Sequence, residues 1–254
     1  MLKKLVIFSV LKSFQELPQS IVQTEPLPHQ KKIVAISPHS DDISVACGGT
    51  ISVLSRFNQI RPFLLFSGWR GVEAKSKIEA MALREKEMAK EAKILKMQKP
   101  VFLRLDSYDK KNQDVLKKDK QKLSIALKKA KPDIIFLPKK DDLHPRHKLA
   151  TELVLAALDF PCILFFYENP WSAIGAFKFN SIFAFSSKEI KEQMKAIRAH
   201  RSQLKRTRFD KAAKALAQFR GAVVPEQRIF GYGNPAPRFK NVFIEAFEMQ
   251  KYQP

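Results

Sequence analysis

The chain has 254 residues, of which 45% are hydrophobic, and a formal net charge of +21. This length and composition support one substantial core and exclude a disordered chain or a coiled coil. We expect a lead-in at residues 1–30, where the prolines of "EPLPHQ" disfavour regular structure, followed by a single domain at residues 31–254.

The excess of positive charge would suit a protein that binds polyanions, because clustered Lys and Arg release counterions from phosphates. The charges, however, fill the polar faces of amphipathic helical patterns such as "KKDKQKLSIALKKAK" and "KEIKEQMKAIRAHRSQLKRTRFDKAAK". A solvated helix surface accounts for them, so no specific nucleic-acid partner is expected.

Two sequence features bear on the compartment. The two cysteines form neither a disulfide framework nor a CxxC motif, which predicts a reduced, cytoplasmic setting. The start, "MLKKLVIFSVLKSF", resembles a short signal peptide but lacks a small-residue cleavage site, so secretion remains an alternative. No run of about 18 apolar residues is present, and no transmembrane segment is expected.

Short apolar runs alternate with longer helical patterns along the chain. The sequence predicts strand 32–37, helix 43–57, strand 61–67, helix 74–97, strand 100–106, helix 113–131, strand 132–138, helix 147–158 and strand 162–168. This alternation indicates an α/β fold with a Rossmann-like, doubly wound, mostly parallel sheet and helices on both faces. In such sheets, ligands bind at the carboxyl ends of the strands.

Histidines and carboxylates lie at two of these strand ends. His39, Asp41 and Asp42 follow the first predicted strand, and His144 and His147 of "DDLHPRH" follow the fourth. Two histidines and one carboxylate can hold zinc or another divalent ion with a position left open for water, and a second carboxylate can act as general base. Alternatively, Asp41 or Asp42 caps the next helix, and the glycine pair lets that helix pack closely on the sheet.

The stretch "PHSDDISVACGGT" resembles the PHPDDE-x-x-x-x-GGT signature of the PIG-L/LmbE family of zinc-dependent N-acetylglucosaminyl deacetylases. Further blocks that resemble the family's motifs follow in the family's order between Ile33 and Phe247. They read "LFSGWRG", "REKEMAKEAKILK", "LRLD", "DDLHPRH", "KAIRAHRSQ" and "IEAF".

The resemblance implies a role for each matching residue. It implies that His39, Asp42 and His147 ligate the metal ion and that Asp41 is the general base for the water it activates. It also implies that His144 stabilises the oxyanion or protonates the leaving amine. Arg84 and Asp106 would contact the substrate sugar. The implied reaction removes the acetyl group from an N-acetylglucosamine-type amino sugar or conjugate.

Three positions depart from the family pattern. Ser40 replaces a proline, Ile43 a glutamate and Arg146 an aspartate. None is a ligand or the base in that pattern, so we expect the core chemistry to survive and the groups that orient the ligands to be weakened. Arg146 indicates either an anionic substituent on the substrate or one more surface arginine.

Other residues carry weaker hypotheses. Trp69 and Trp171 could stack on a sugar or cover the edge of the core. A structural role is favoured for His200. The segment 218–239, rich in Gly and Pro, could form a lid or a subunit contact, and a homo-oligomer is compatible with the sequence.

Two competing functions stay open. One is a catalytically silent protein that keeps the fold and binds nucleic acid or an anionic glycan through its basic surface. The other is an amidohydrolase of the same mechanism whose substrate is not a sugar. The complete set of His39, Asp41, Asp42, His144 and His147 argues against loss of catalysis.

Overall fold

A computed structural model describes residues 28–74, 76–170, 178–223 and 242–254. The lead-in prediction therefore lies outside the described residues as far as residue 27. The described strands form one sheet. They are Lys32–Ser37 (β1), Gln59–Leu64 (β2), Val101–Phe102 (β3), Ile134–Pro138 (β4), Cys162–Tyr167 (β5), Ser181–Phe185 (β6) and Phe243–Tyr252 (β7).

Helices cover both faces of this sheet. They are Asp42–Leu54 (α1), Lys77–Ile94 (α2), Gln113–Ala130 (α3), Pro145–Ala157 (α4), Ser187–Ala199 (α5), Arg201–Leu204 (α6) and Phe209–Val223 (α7). One apolar layer packs α1, α2 and α5 against the sheet, and a second packs α3 and α4 against the opposite face. Among the described helices, none combines the length and the apolar character that crossing a bilayer requires.

The strand order is β3-β2-β1-β4-β5-β7-β6, and β1 to β5 are paired in parallel. The chain runs outward from β1 through β2 to β3 and then returns to place β4 on the other side of β1. The strand order therefore reverses between β1 and β4. This is the crevice where open α/β sheets bind ligands, and the predicted mostly parallel, doubly wound fold is confirmed.

Strand β7 differs from the others because it runs antiparallel to both of its neighbours, β5 and β6. The closing strand was predicted only at "IEAF", and its position inside the sheet was not. Buried Glu245 of β7 accepts hydrogen bonds from the backbone N–H groups of Gly49 and Thr50, at 3.1 and 2.8 Å. It thereby satisfies donors that a helix break at Cys47 leaves free.

Two predicted elements are cut short or divided in the structure, whereas the ends of the others shift by a few residues at most. The strand predicted at 100–106 is confined to Val101–Phe102, because Arg104 adopts a left-handed backbone conformation with φ +49°. The helical pattern at 188–214 is broken at His200, whose ψ of 62° is not helical, and it divides into α5, α6 and α7. The apolar spacing continues across these breaks, so periodicity did not reveal them.

Candidate functional site

The residues predicted to bind metal meet at the crevice between β1 and β4. His39 lies just after β1, Asp42 is the first residue of α1, and His147 lies in the first turn of α4. His39 and Asp42 line a cleft of about 390 Å³, together with Asp41 and His144. The convergence of the two loops follows from the pairing of β1 with β4.

Three side chains that could ligate a metal ion face one another at the base of this cleft. Nδ1 of His39 lies 3.1 Å from Nε2 of His147 and 3.2 Å from Oδ2 of Asp42, and Oδ1 of Asp42 lies 3.3 Å from Nε2 of His147. Metal–ligand bonds of about 2.0–2.2 Å in a tetrahedron place neighbouring ligand atoms about 3.3–3.6 Å apart. The spacing of the three groups therefore suits a single small divalent ion.

Buried Asp142 fixes the orientation of His147. Oδ2 of Asp142 lies 3.1 Å from Nδ1 of His147, and Oδ1 accepts the backbone N–H of His144 over 2.8 Å. Asp142 thereby holds a proton on Nδ1 of His147, and a metal ion would take the place of the proton on Nε2, which faces His39 and Asp42. Asp142 thus prepares His147 as a ligand, a role that the sequence interpretation did not assign.

The charges around His147 favour a cation. Burial alone would lower the pKa of His147, but the carboxylates of Asp42 and Asp142 raise it to about 10. Burial lowers the pKa of His39, which keeps that imidazole neutral and its lone pair available. Two buried carboxylates and a neutral imidazole form a donor set that a divalent cation would satisfy.

His144 stands at the rim of the same cluster. Its ring packs at 4.7 Å from the ring of His147 and 4.8 Å from that of His39, and one nitrogen of each of the three lies within 4.8 Å of the others. Nδ1 of His144 accepts the backbone N–H of Arg146 over 3.2 Å. This hydrogen bond places the ring proton on Nε2. His144 then has no free lone pair for a metal ion, because Nδ1 accepts a hydrogen bond and Nε2 carries the proton. Asp42 is therefore a better third ligand than His144.

Asp41 does not cap α1, although it occupies the N-cap position. Its Oδ1 instead accepts a hydrogen bond from Nη2 of Arg84 over 2.7 Å, and both side chains are buried. Burial alone would raise the pKa of Asp41, but the Arg84 guanidinium, together with His200 and His39, holds the pKa below its usual value. The carboxylate of Asp41 is therefore ionised at neutral pH.

Further buried polar side chains contact the residues that surround Asp41. Glu87 lies 3.9 Å from Nη1 of Arg84 and accepts two hydrogen bonds from Ser202, one from the backbone N–H and one from Oγ. Glu91 accepts from Oγ of Ser44 and lies 2.6 Å from Nε2 of His200. His200 and Ser202 therefore hold these two glutamates in place behind the site, which is in agreement with the structural role favoured for His200.

Asp106 lies away from this arrangement. Its side chain is 47% exposed, pairs with Lys110 at 3.3 Å and does not line the cleft. Asp109 is the aspartate of this loop that reaches the residues near the cleft: it accepts from Nε1 of Trp69 over 3.1 Å and lies 3.7 Å from Arg146. Trp171 and most of the segment 218–239 lie outside the described residues.

Among the described residues, the side chains of the three departures from the family pattern make no hydrogen bond to His39, Asp42 or His147. Ile43 is fully buried in the apolar layer beneath α1. Arg146 lines the cleft, and its guanidinium lies 4.2 Å above the ring of Tyr108. Ser40 is buried, and Oγ has no hydrogen-bond partner among the described residues.

Comparison with known proteins identifies related sequences and folds. Residues 34–158 match the family model of PIG-L, described as GlcNAc-PI de-N-acetylase. This stretch contains every residue predicted to act as base, metal ligand or oxyanion contact. No curated protein matches the sequence significantly.

Several solved structures share the fold over almost the whole chain. An N,N'-diacetylchitobiose deacetylase from Pyrococcus horikoshii superposes with a TM-score of 0.68 at 21% identity, covering 94% of this chain and 92% of its own. The conserved protein TT1542 from Thermus thermophilus gives 0.66 at 23% identity, over 86% and 94%. A 4-carboxy-2-hydroxymuconate hydratase, GalB from Pseudomonas putida KT2440, gives 0.65 at 16% identity, over 89% and 97%. A hydratase thus shares this fold, so the reaction must be argued from the site.

Proposed function

Because the chain belongs to the PIG-L family, we propose that it is a metal-dependent hydrolase that removes the acetyl group from an N-acetylglucosamine-type amino sugar or conjugate. The observation that carries the proposal is the convergence of His39, Asp42 and His147 within 3.3 Å of one another beside the ionised Asp41. The matching family model is described as a de-N-acetylase, which supports a deacetylase over a hydratase. The complete set of converging side chains argues against a silent binding protein.

We assign the metal to His39, Asp42 and His147. The spacing of their donor atoms and the negative charge of Asp42 and Asp142 around His147 fit a zinc-sized divalent ion. When bound, such an ion would polarise the acyl carbonyl and lower the pKa of a water molecule. The identity of the metal stays open between zinc and another divalent ion.

The side chains around the ligands then have distinct tasks. Arg84 occupies Oδ1 of Asp41, so Oδ2 is the oxygen that we assign to accept the proton of the attacking water. Nε2–H of His144 is available to donate to the oxygen of the tetrahedral intermediate, because Nδ1 accepts from Arg146. Collapse of that intermediate releases acetate and the free amine, which takes the proton held by Asp41.

Arg84 and Asp106 were predicted to contact the substrate sugar. Arg84 lines the cleft, although one of its nitrogens is committed to Asp41. Asp106 would need a substrate that extends beyond the cleft. We keep the first contact in the proposal and regard the second as the weaker one.

The proposal also concerns the whole chain. We propose that residues 31–254 form one domain, since the sheet takes strands from both ends of this range. The buried, unpaired thiols of Cys47 and Cys162 support a reduced cytoplasmic setting. A homo-oligomer remains a prediction.

The test is the metal content of the purified protein together with acetate release from a panel of N-acetylglucosamine conjugates. We expect near one divalent ion per chain and acetate from at least one panel member. Asp42→Asn and His147→Asn should lose both, while the control variants Asp141→Asn and His29→Asn change exposed residues and should keep both. Circular dichroism of each variant separates loss of metal from loss of folding.

Other outcomes identify the competing functions. Folded protein that takes up no metal under replete conditions, yet is retained on heparin in a salt-dependent way, would be the silent binding protein. If the protein binds one ion but releases the acyl group only from acylated amines that are not sugars, it is the amidohydrolase with a different substrate.

A further inference from the structure

A second concave surface lies directly beside the metal cleft. This groove of about 730 Å³ is formed by the loop that follows β2, part of α2 and the region of α6. Gly71 and Arg206 line both the groove and the cleft. The groove and the cleft therefore adjoin at these two residues, so a substrate held by its acylamino group in the cleft can extend towards the groove.

Positive side chains dominate the groove. Its lining includes Arg70, Arg201, Lys205 and Arg206, against the acidic residues Glu73 and Glu87. Glu87 is buried and lies 3.9 Å from the buried guanidinium of Arg84, which offsets its charge within the protein. The described residues include no ion pair with Arg201 or Lys205.

Two of these cations are held in place. Nη1 of Arg206 donates to the carbonyl of Gly71 over 3.1 Å, and the guanidinium of Arg70 packs 5.1 Å from the centre of the Trp69 ring. Fixed guanidinium groups recognise phosphate and carboxylate oxygens at a smaller entropic cost than mobile ones. A neutral sugar would gain little from four cations.

We propose that this groove is a second subsite, which binds an anionic phosphate or carboxylate group carried by the acylated amino sugar. The inference rests on the proposed function, since the acylamino group is what anchors the substrate in the cleft. Arg206 lies where the two sites meet, and Arg146 adds a further positive charge to the cleft wall. An anionic group on the sugar is favoured over a nucleic acid, because the groove adjoins the cleft that would hold the acylamino group.

The experiment measures equilibrium binding of three amines that resemble deacetylated products and are not turned over. They are methyl glucosaminide, glucosamine 1-phosphate and glucosamine 6-phosphate. We expect at least one phosphate to bind at least about tenfold more tightly than the methyl glycoside, as for a hydrogen bond to a charged group. High salt should reduce this preference.

A double variant locates the effect. Arg201→Gln with Lys205→Gln should abolish the preference for phosphate, whereas Lys118→Gln with Lys122→Gln removes the same charge from exposed positions on α3 and should leave it unchanged. Equal binding of all three amines, or an equal loss in both double variants, would overturn the proposal. So would single-stranded oligonucleotide binding that depends on Arg201 and Lys205 without any preference among the amines.

Acetate release from the corresponding N-acetyl compounds keeps the two proposals apart. A phosphate preference without acetate release would leave the groove assigned and refute the deacetylase. Acetate release at equal kcat/KM from neutral and phosphorylated compounds would support the deacetylase and refute the anion-binding groove.

Discussion

Arg84 donates a hydrogen bond from Nη2 to Oδ1 of Asp41 over 2.7 Å, and both side chains are buried. Glu87, one turn further along α2, lies 3.9 Å from the same guanidinium and is itself held by Ser202. The orientation of the Asp41 carboxylate, the proposed base, is therefore set by residues of α2 and of the start of α6. Neither helix supplies a metal ligand.

Replacing Arg84 by lysine tests this arrangement. Lysine keeps the charge but cannot span Asp41 and Glu87 with a planar fork, so buried acceptors lose a partner. We expect the free energy of unfolding to fall by about 1–3 kcal/mol. We also expect kcat to fall by at least about tenfold, as for the loss of roughly 1.4 kcal/mol of transition-state stabilisation. Urea unfolding and steady-state acetate release measure the two effects.

Arg104→Lys is the matched control, because Arg104 also pairs with a glutamate, Glu85, but its side chain is 55% exposed. That change should cost less than about 1 kcal/mol. Equal costs in the two variants would contradict the special role of the buried pair. A rise in KM alone for Arg84→Lys would favour the direct sugar contact that the family resemblance implies.

Asp142→Asn tests how His147 is prepared. An asparagine amide directed at Nδ1 would favour the tautomer with its proton on Nε2, which blocks the nitrogen that faces Asp42. Loss of such a supporting carboxylate lowers metal affinity by roughly 10–100-fold. Competition with a chromophoric chelator measures the affinity.

The neighbouring Asp141→Asn provides the control, since Asp141 is 79% exposed and the same chemical change is made one residue away. It should leave the metal affinity unchanged. Unaltered affinity in Asp142→Asn would mean that the hydrogen bond to His147 does not matter for ligation.

The sequence was sufficient to predict the meeting of His39 and His147, because strand order alone brings the loops after β1 and β4 to one crevice. It was not sufficient to predict the partners of Asp41 and His147. The helical pattern of α2 looks amphipathic, and nothing in its period distinguishes buried Arg84 from the exposed arginines of a basic chain. Asp142 is one of two adjacent aspartates, of which only one is buried.

Local backbone conformation explains why Asp106 lies away from the cleft. The apolar run at 100–106 resembles a full strand, which would carry Asp106 to the carboxyl edge of the sheet. The left-handed turn at Arg104 ends the strand early, and the backbone N–H of Asp106 then bonds to Asp119 over 2.8 Å. Such a turn at an arginine has no signature in the sequence.

The glycine pair of α1 provides a stability test. A Cβ on Gly49 would lie 2.2 Å from the Phe185 ring of β6, so alanine forces the helix and the sheet apart. We expect Gly49→Ala to lower the free energy of unfolding by about 1–3 kcal/mol. At Gly71 the nearest atom to an added Cβ is 3.5 Å away, and Gly71→Ala should be nearly neutral in the same urea unfolding experiment. Similar losses in the two variants would show that the close approach of α1 to β6 is not what requires glycine.

The pKa of Glu245 leads to a prediction of how the stability of the protein depends on pH. Burial raises its pKa to about 7, against the opposing effect of hydrogen bonds from the backbone of Thr50 and Gly49. The unfolded chain releases this proton near pH 4.5, and the folded chain retains it until about pH 7. The folded state therefore binds more protons between these values, and stability must fall as the pH rises through this window.

The loss attributable to Glu245 should amount to about 3 kcal/mol at most. It is obtained from urea unfolding of the wild type and Glu245→Gln at successive pH values, because the difference between the two cancels every other titrating group. We expect the wild type to lose stability relative to the variant from pH 4.5 to 7 and the difference to stay constant from pH 8 to 9. A difference that does not vary with pH would mean that Glu245 is ionised in the folded protein, and that the two N–H groups of α1 outweigh its burial.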